Sequence, residues 1–215
     1  VYSSGGAADC KSGDDDWYVV RLPKCGDDVP DGFYYDYGIL VPAGYNEAWQ
    51  AIDACLSERD WIYWRVSWQR PFKVTVRWPY EDWPHCPGDE IHLPSKATAS
   101  WDHVAVYHEY GHAVMWTLYG DSWPPGSEGG THWVWMEDVL PDAWAEGWAE
   151  FMQCAVDDNP NNLVNSGANI ETNDWYNWQD TGDMDGAHVE GEVASILWDI
   201  FDPIAWATDK DYLHM

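Results

Sequence analysis

The first extended polar–apolar pattern along the chain has a helical period. Between Ala48 and Leu56 the apolar residues recur at helical spacing, so they fall on one stripe of a helix that we predict over residues 44–60. Asn46 has the short polar side chain that is preferred at a helix N-cap. This segment is therefore predicted to pack one face against a core.

Shorter segments with a period of two predict strands. FKVTVRW at 72–78 alternates polar and β-branched residues, and EIHLP at 90–94 follows a turn-rich segment. WYVVRL at 17–22 is a third strand candidate between Asp- and Gly-rich loops. Together they predict a small sheet in the N-terminal half.

Two longer apolar patterns predict helices with defined starts and stops. One helix begins near Asp102 and runs to the stop signal at Gly120. Another covers residues 141–156, and Asp142 is its predicted N-cap.

The last helical pattern, Val189–Phe201, is stopped by Pro203. This order of elements predicts an α+β fold, with a small N-terminal mixed sheet packed on the central helix and a mainly helical C-terminal half. We expect one domain over 1–215, with a loop- and strand-rich part at 1–100 and a helical part at 101–215.

The composition restricts what such a domain can bind. Acidic residues number 38 against 10 basic ones, a formal net charge of −28, so nucleic acid and an anionic membrane surface would be repelled. This charge would suit a saline or acidic habitat, or cation binding. A solvated acidic surface is an equally good explanation. The 18 tryptophans must be largely buried or lie along a groove, because so much exposed indole would aggregate. No apolar run reaches the ~18 residues of a membrane span.

Cysteine usage favours an oxidising compartment. The five cysteines form no CxxC pair, which argues against a cysteine-based zinc knuckle. In a secreted protein they predict two disulfides and one spare thiol, with Cys10–Cys25 as the first pairing to consider. No signal peptide is visible, but the start VYSSGGAAD is typical of a processed or trimmed chain, which is compatible with a lost leader. We expect an extracellular or cell-surface protein.

The candidate chemistry begins at HEYGH, residues 108–112. On a helix, His108 and His112 share a face and can offer two imidazole nitrogens to one metal ion. Glu109 lies beside such an ion and could take a proton from a metal-bound water. The simpler alternative is a pair of ordinary helix histidines with a solvated glutamate.

A third ligand distinguishes a zinc site from a chance pair of histidines. The extended metzincin motif needs Gly and His where Met115 and Leu118 stand, so that class is excluded. AWAEGWAEF instead offers Glu146 on a helix of its own, with Glu150 one turn further along the same face. A solvated acidic face would contain the same two residues, but their neighbours are mostly apolar.

HEYGHAVM followed by EGWAEF resembles the gluzincin metallopeptidases of the thermolysin-like and fungalysin-like group. This resemblance implies a zincin-like fold in which His108, His112 and Glu146 hold one catalytic zinc and Glu109 is the general base. It also implies that Glu150, which stands where that group usually has Asp, supports a ligand histidine.

A later segment extends the resemblance. GAHVEGEVASILWDI resembles a helix of the same group whose histidine stabilises the oxyanion, which implies that role for His188. The alternative for His188 is a solvent-facing histidine at a helix N-terminus. The resemblance further implies that the strand at 90–93 lines the cleft and pairs with an extended peptide substrate.

Calcium is a second candidate ion. Thr181, Asp183, Asp185, Gly186 and Glu192 occupy positions 1, 3, 5, 6 and 12 of an EF-hand loop, although position 1 should be Asp. An acidic cluster at a helix N-terminus explains the same residues.

The sequence therefore predicts a zinc-dependent endopeptidase that acts on peptides or proteins. One alternative is an extracellular surface, structural or binding protein on a gluzincin-like fold, with weak or no proteolysis and with self-association through its aromatic residues. Another is a glycan-binding domain whose tryptophans stack on sugars. An intact Glu109 favours the peptidase, because a purely structural zinc site does not need that carboxylate.

Overall fold

A computed structural model describes residues 8–11, 46–66, 74–99, 101–130, 132–163, 168–171 and 186–201. The elements in chain order are β1 (Ala8–Lys11), α1 (Asn46–Val66), β2 (Val74–Arg77), β3 (Glu90–His92), α2 (His103–Leu118), α3 (Leu140–Val156), a 3₁₀ turn (Gly186–His188) and α4 (Glu190–Phe201). The α+β prediction is confirmed. The strand predicted at 17–22 lies outside the described residues. None of the described helices is both long and apolar enough to cross a membrane.

Within the described residues the sheet is small, and its three strands are parallel. β2 lies between β1 and β3, and the side chains of Val74 and Val76 face the core as the alternation predicts. An antiparallel bridge joins His85 to His92 on the outer side of β3. Because this bridge uses both the N–H and the C=O of His92, the edge predicted to pair with a peptide is closed at that residue.

α1 is longer than its pattern predicts. The helix begins at Asn46, as expected, but continues beyond residue 60 to Val66. Ile62 extends the buried stripe by another turn and is only 6% exposed, so packing against the core favours the longer helix.

α2 begins and ends where its signals predict. The Asp102 carboxylate accepts hydrogen bonds from the N–H groups of Val104 and Ala105, at 3.0 and 3.3 Å, as an N-cap does. After the last residue of the helix, Gly120 has a φ of +76°, which favours glycine over residues that carry a Cβ.

The N-cap predicted for α3 is wrong. The helix begins at Leu140, because Pro141 fits the first turn of a helix, so Asp142 already lies inside it. The Asp142 carboxylate instead accepts the N–H groups of Glu128 and Gly129, both at 2.9 Å. It therefore fixes the loop that precedes the helix.

α3 packs between α2 and α4, and two glycines permit the close approach. A Cβ on Gly111 would lie 3.3 Å from the Ala149 Cα, and a Cβ on Gly147 would lie 2.6 Å from the Val193 Cβ. The Trp148 indole also donates a hydrogen bond of 3.0 Å to the Gly111 carbonyl. The motifs of α2 and α3 are thereby held against each other.

The prediction of two disulfides is wrong. Cys86 and Cys154 are buried as free thiols, and the Cys86 thiol donates to the Gly88 carbonyl at 3.1 Å. At most one disulfide can form among the three remaining cysteines of the five. Cys25 lies outside the described residues, so the pairing with Cys10 stays a prediction.

Candidate metal centre

The crossing of α2 and α3 brings the three predicted metal ligands together. The Nε2 atoms of His108 and His112 lie 3.1 Å apart, and the Glu146 Oε2 lies 3.3 and 3.1 Å from them. A tetrahedral zinc ion with bonds of about 2.0–2.1 Å separates its ligand atoms by about 3.3–3.4 Å. The spacing of the three atoms is therefore close to that of ligands around one zinc ion.

Helix geometry and glycine packing explain this convergence. His108 and His112 lie one turn apart on the same face of α2. Glu146 directly precedes Gly147, where α3 approaches α4, and its side chain reaches across the crossing towards both imidazoles. The three side chains are 7–17% exposed, so the site is sheltered but not sealed from solvent.

The charges around these residues favour a cation. Five carboxylates that are buried or nearly so surround the cluster: Glu58, Glu109, Glu146, Glu150 and Glu190. Burial acts to lower the pKa of His108, but Glu146, Glu109 and Glu150 raise it to about 10. Burial likewise acts to raise the pKa of Glu146, yet His112 and His108 hold it well below its usual range. A field that holds a proton here would also hold a metal ion in the proton's place.

Glu109, which directly follows the first candidate ligand, is one of the buried carboxylates whose pKa is raised. It is 6% exposed, and its burial raises the pKa above the usual range of glutamate. Among the described residues no hydrogen bond engages its carboxylate. A general base works best when its pKa lies near the operating pH, so burial improves Glu109 for that role.

Glu150 lies close to His108 but lacks the hydrogen bond that the resemblance implies. Its Oε2 accepts from the Gln153 side chain at 2.5 Å, and burial raises its pKa to about 8. The Nδ1 atoms of His108 and His112 are buried without a hydrogen-bond partner within the described part of the chain. Glu150 therefore lies near His108 without a direct hydrogen bond to it in this structure.

Sequence reasoning did not identify a further carboxylate behind the first histidine. Glu58 of α1 is fully buried, its charge interacts with His108, and neither of its oxygens has a hydrogen-bond partner in the described residues. The helical stripe of α1 predicted its core-facing positions but gave no reason to expect an acid among them.

A histidine outside the motifs also contacts the cluster. The His132 Nε2 lies 3.6 Å from the Glu146 Oε1, and its Nδ1 lies 2.9 Å from the Glu190 Oε1. Burial acts to lower the pKa of His132, but Glu190 and Glu146 raise it to about 9. Its Gly-rich loop has no periodicity, so no local signal could have placed this residue.

His188 is fixed by a different segment. Its Nδ1 donates to the Asp138 carbonyl at 2.6 Å, and its own carbonyl accepts the Asp138 N–H at 2.8 Å. None of these bonds reaches the ligand cluster. Of the two histidines outside HEYGH, His132 contacts Glu146, whereas the hydrogen bonds of His188 go to Asp138.

The predicted calcium loop is only partly described. Residues 181–185 lie outside the described part of the chain, whereas Gly186 begins the 3₁₀ turn and Glu192 lies in α4. Calcium binding therefore stays a prediction.

Comparison with known proteins gives one family. The model described as the Mycolysin C-terminal domain matches residues 45–213, which include all the candidate ligands. No curated protein and no solved structure gives a significant match. Because the family model covers most of the chain, the protein belongs to the Mycolysin C-terminal domain family, which is consistent with a relationship to metallopeptidases.

Proposed function

We propose that this protein is a zinc-dependent endopeptidase in which His108, His112 and Glu146 hold the ion. The observation that carries the proposal is the convergence of their three ligand atoms, 3.1–3.3 Å apart, beside an unbonded buried Glu109. A zinc ion bound there would supply Lewis acidity and lower the pKa of water towards ~7.

Glu109 would carry the proton. Its carboxylate would take a proton from the attacking water and return it to the leaving amine of the peptide. Burial supports both steps, because a raised pKa makes Glu109 a better base while still allowing it to release the proton.

Two imidazoles are candidates for stabilising the oxyanion. The resemblance assigns this role to His188, whereas the contact with Glu146 favours His132. Replacing the histidine that acts should lower kcat by about 10²–10³-fold with a smaller change in KM. Measuring kcat and KM for His188→Ala and His132→Ala decides between them.

The substrate class follows from the reaction and from the surface charge. We propose peptide or protein substrates bound in an extended conformation outside the cell, since a net charge of −28 disfavours nucleic acid. The closed edge at His92 means that a peptide would pair with backbone groups other than those of His92.

Glu109→Gln tests the proposal. This isosteric change should keep zinc and lower the hydrolysis of an unfolded protein substrate by about 10²–10⁴-fold, because the amide cannot take up the proton. Glu137→Gln makes the same charge change at an exposed position and should leave the rate unchanged.

Two outcomes would contradict this assignment. A Glu109→Gln variant that cleaves like the wild type would remove Glu109 from the mechanism. Zinc binding by a wild-type protein that cleaves nothing would instead indicate a binding or structural protein.

A further inference from the structure

A second group of metal-ligating side chains lies on β3 and on the segment that joins β2 to β3. The His92 Nδ1 lies 2.9 Å from the His85 Nε2, and the Glu81 carboxylate oxygens lie 3.1 Å from the His85 Nε2 and 3.7 Å from the His92 Nδ1. These distances bracket the separation of about 3.3 Å between ligands of a tetrahedral zinc ion.

The backbone fixes this arrangement. His85 and His92 face each other in an antiparallel bridge with reciprocal hydrogen bonds of 3.1 and 2.8 Å, so their side chains lie on one face of the sheet. Glu81 has a φ of +56°, an uncommon conformation for a residue with a Cβ, and its side chain lies against His85.

The outward-facing nitrogens of both imidazoles contact acceptors. The His92 Nε2 lies 3.3 Å from the Glu90 carboxylate, which Arg77 binds through two hydrogen bonds of 2.6 and 2.8 Å. The His85 Nδ1 lies 3.1 Å from the Trp83 carbonyl. Both of these nitrogens therefore carry the proton and donate, which is the arrangement that orients histidine ligands around metals.

The inward-facing atoms are consequently all acceptors. A neutral imidazole has one N–H, so the His92 Nδ1 and the His85 Nε2 present lone pairs to each other and to the Glu81 carboxylate. Three converging acceptors call for a cation.

We propose that Glu81, His85 and His92 bind a second zinc ion, with water in its fourth position. Two imidazoles and a carboxylate form a donor set suited to zinc, and Glu81 is exposed enough to admit water. The ion ties the segment before β3 to the edge of the sheet. This site stands independently of the endopeptidase proposal, because it shares no ligand with the α2–α3 cluster.

Zinc stoichiometry of the full chain tests this site. The protein is stripped with a chelator, equilibrated with zinc and analysed for bound metal by mass spectrometry, with Co²⁺ absorption as a spectroscopic report on tetrahedral sites. The wild type should bind two zinc ions per chain. His85→Ala and the isosteric Glu81→Gln should each bind one, His112→Ala should bind one, and the His85→Ala/His112→Ala double variant should bind none.

Two further variants control for incidental binding. His103 pairs with Asp157 at 2.9 Å on the surface, and no third ligand joins them among the described residues, so His103→Ala should still bind two ions. Glu90→Gln retains all three ligands and should weaken second-site affinity by about 10–100-fold through the His92 ring. Circular dichroism establishes that each variant is folded.

The possible outcomes separate the two proposals. A wild type with one zinc that persists in His85→Ala and is lost in His112→Ala overturns the second site. One zinc that is lost in His85→Ala and persists in His112→Ala upholds the second site and overturns the proposed catalytic centre. If the wild type binds two ions and both persist in His85→Ala and in Glu81→Gln, the second site is also overturned.

Discussion

The protein contains two clusters with the same donor set and different surroundings. Each consists of two histidines and one glutamate with ligand atoms about 3 Å apart, one at the α2–α3 crossing and the other between His85 and β3. The first depends on packing between helices that are distant in sequence. The second depends on a bridge within a short segment, so its ligands lie within twelve positions of one another.

The largest difference between the two clusters is in the carboxylate that neighbours the ligands. Beside the sheet-edge cluster, Glu90 is bound by Arg77, which lowers its pKa and leaves it no proton to exchange near neutrality. Beside the helix-crossing cluster, Glu109 has no such bond and burial raises its pKa. Equal ligands can therefore form a structural or a reactive centre, and the neighbouring acid decides which.

Replacing the glutamate ligand should produce the largest difference in catalytic activity between the two clusters. Glu146→Gln should lower kcat/KM by more than about 100-fold, since even the loss of a residue that supports a ligand costs 10–100-fold. Glu81→Gln should change kcat/KM by only a few fold. Parallel rate measurements with both variants check this, and equal losses would abolish the distinction between the clusters.

Substitutions that disturb helix packing should lower zinc affinity only at the α2–α3 cluster. Gly147→Ala should lower the free energy of unfolding by about 1–3 kcal/mol, because its Cβ would meet Val193 at 2.6 Å. Gly111→Ala should cost less, since its nearest contact, the Met152 Cβ, would lie 3.2 Å away and not 2.6 Å. Denaturant unfolding and zinc titration measure both effects, and a matching loss of affinity at the His85 cluster would contradict the prediction.

The acid behind His108 should produce a small pH-dependent effect. Burial raises the pKa of Glu58 in the folded state, so the folded protein holds this proton more tightly than the unfolded chain. Stability should fall as the pH rises from the unfolded pKa, about 4.3, towards the higher folded value. Glu58→Gln should therefore match the wild type near pH 4 and melt a few degrees higher near pH 8.

Thermal melting of chelator-treated protein at the two pH values measures this difference. Glu90→Gln provides the comparison at the other cluster, because the pKa of Glu90 is lowered and not raised. A Glu58→Gln variant that is no more stable than the wild type near pH 8 would contradict the claim that Glu58 is buried without a hydrogen-bond partner.

The local parts of this picture could be predicted from the sequence. Helical spacing placed His108, His112 and Glu146 on helices, and the cap at Asp102 fixed the start of α2. These features depend on residues within a few positions of each other. The start of α3 was misplaced because Asp142 and Pro141 compete as start signals.

The remaining parts depend on contacts between distant segments. Glu58 and His132 reach the helix-crossing cluster from α1 and from a loop without periodicity, and no spacing predicts that. His85 and His92 meet because of strand pairing, although EIHLP was correctly predicted as a strand. The strand pattern of EIHLP therefore gives no reason to expect that His92 meets His85 and Glu81.

The central claim is that the α2–α3 cluster is a catalytic zinc centre. The most direct test adds zinc to metal-stripped His85→Ala protein while bound zinc and the hydrolysis of an unfolded protein are measured together. Hydrolysis should rise in proportion to zinc and reach its maximum at one ion per chain, and a version that also carries Glu109→Gln should bind the same ion but cleave at least about 100-fold more slowly. One bound ion with no hydrolysis, or equal hydrolysis with and without Glu109, would contradict the claim.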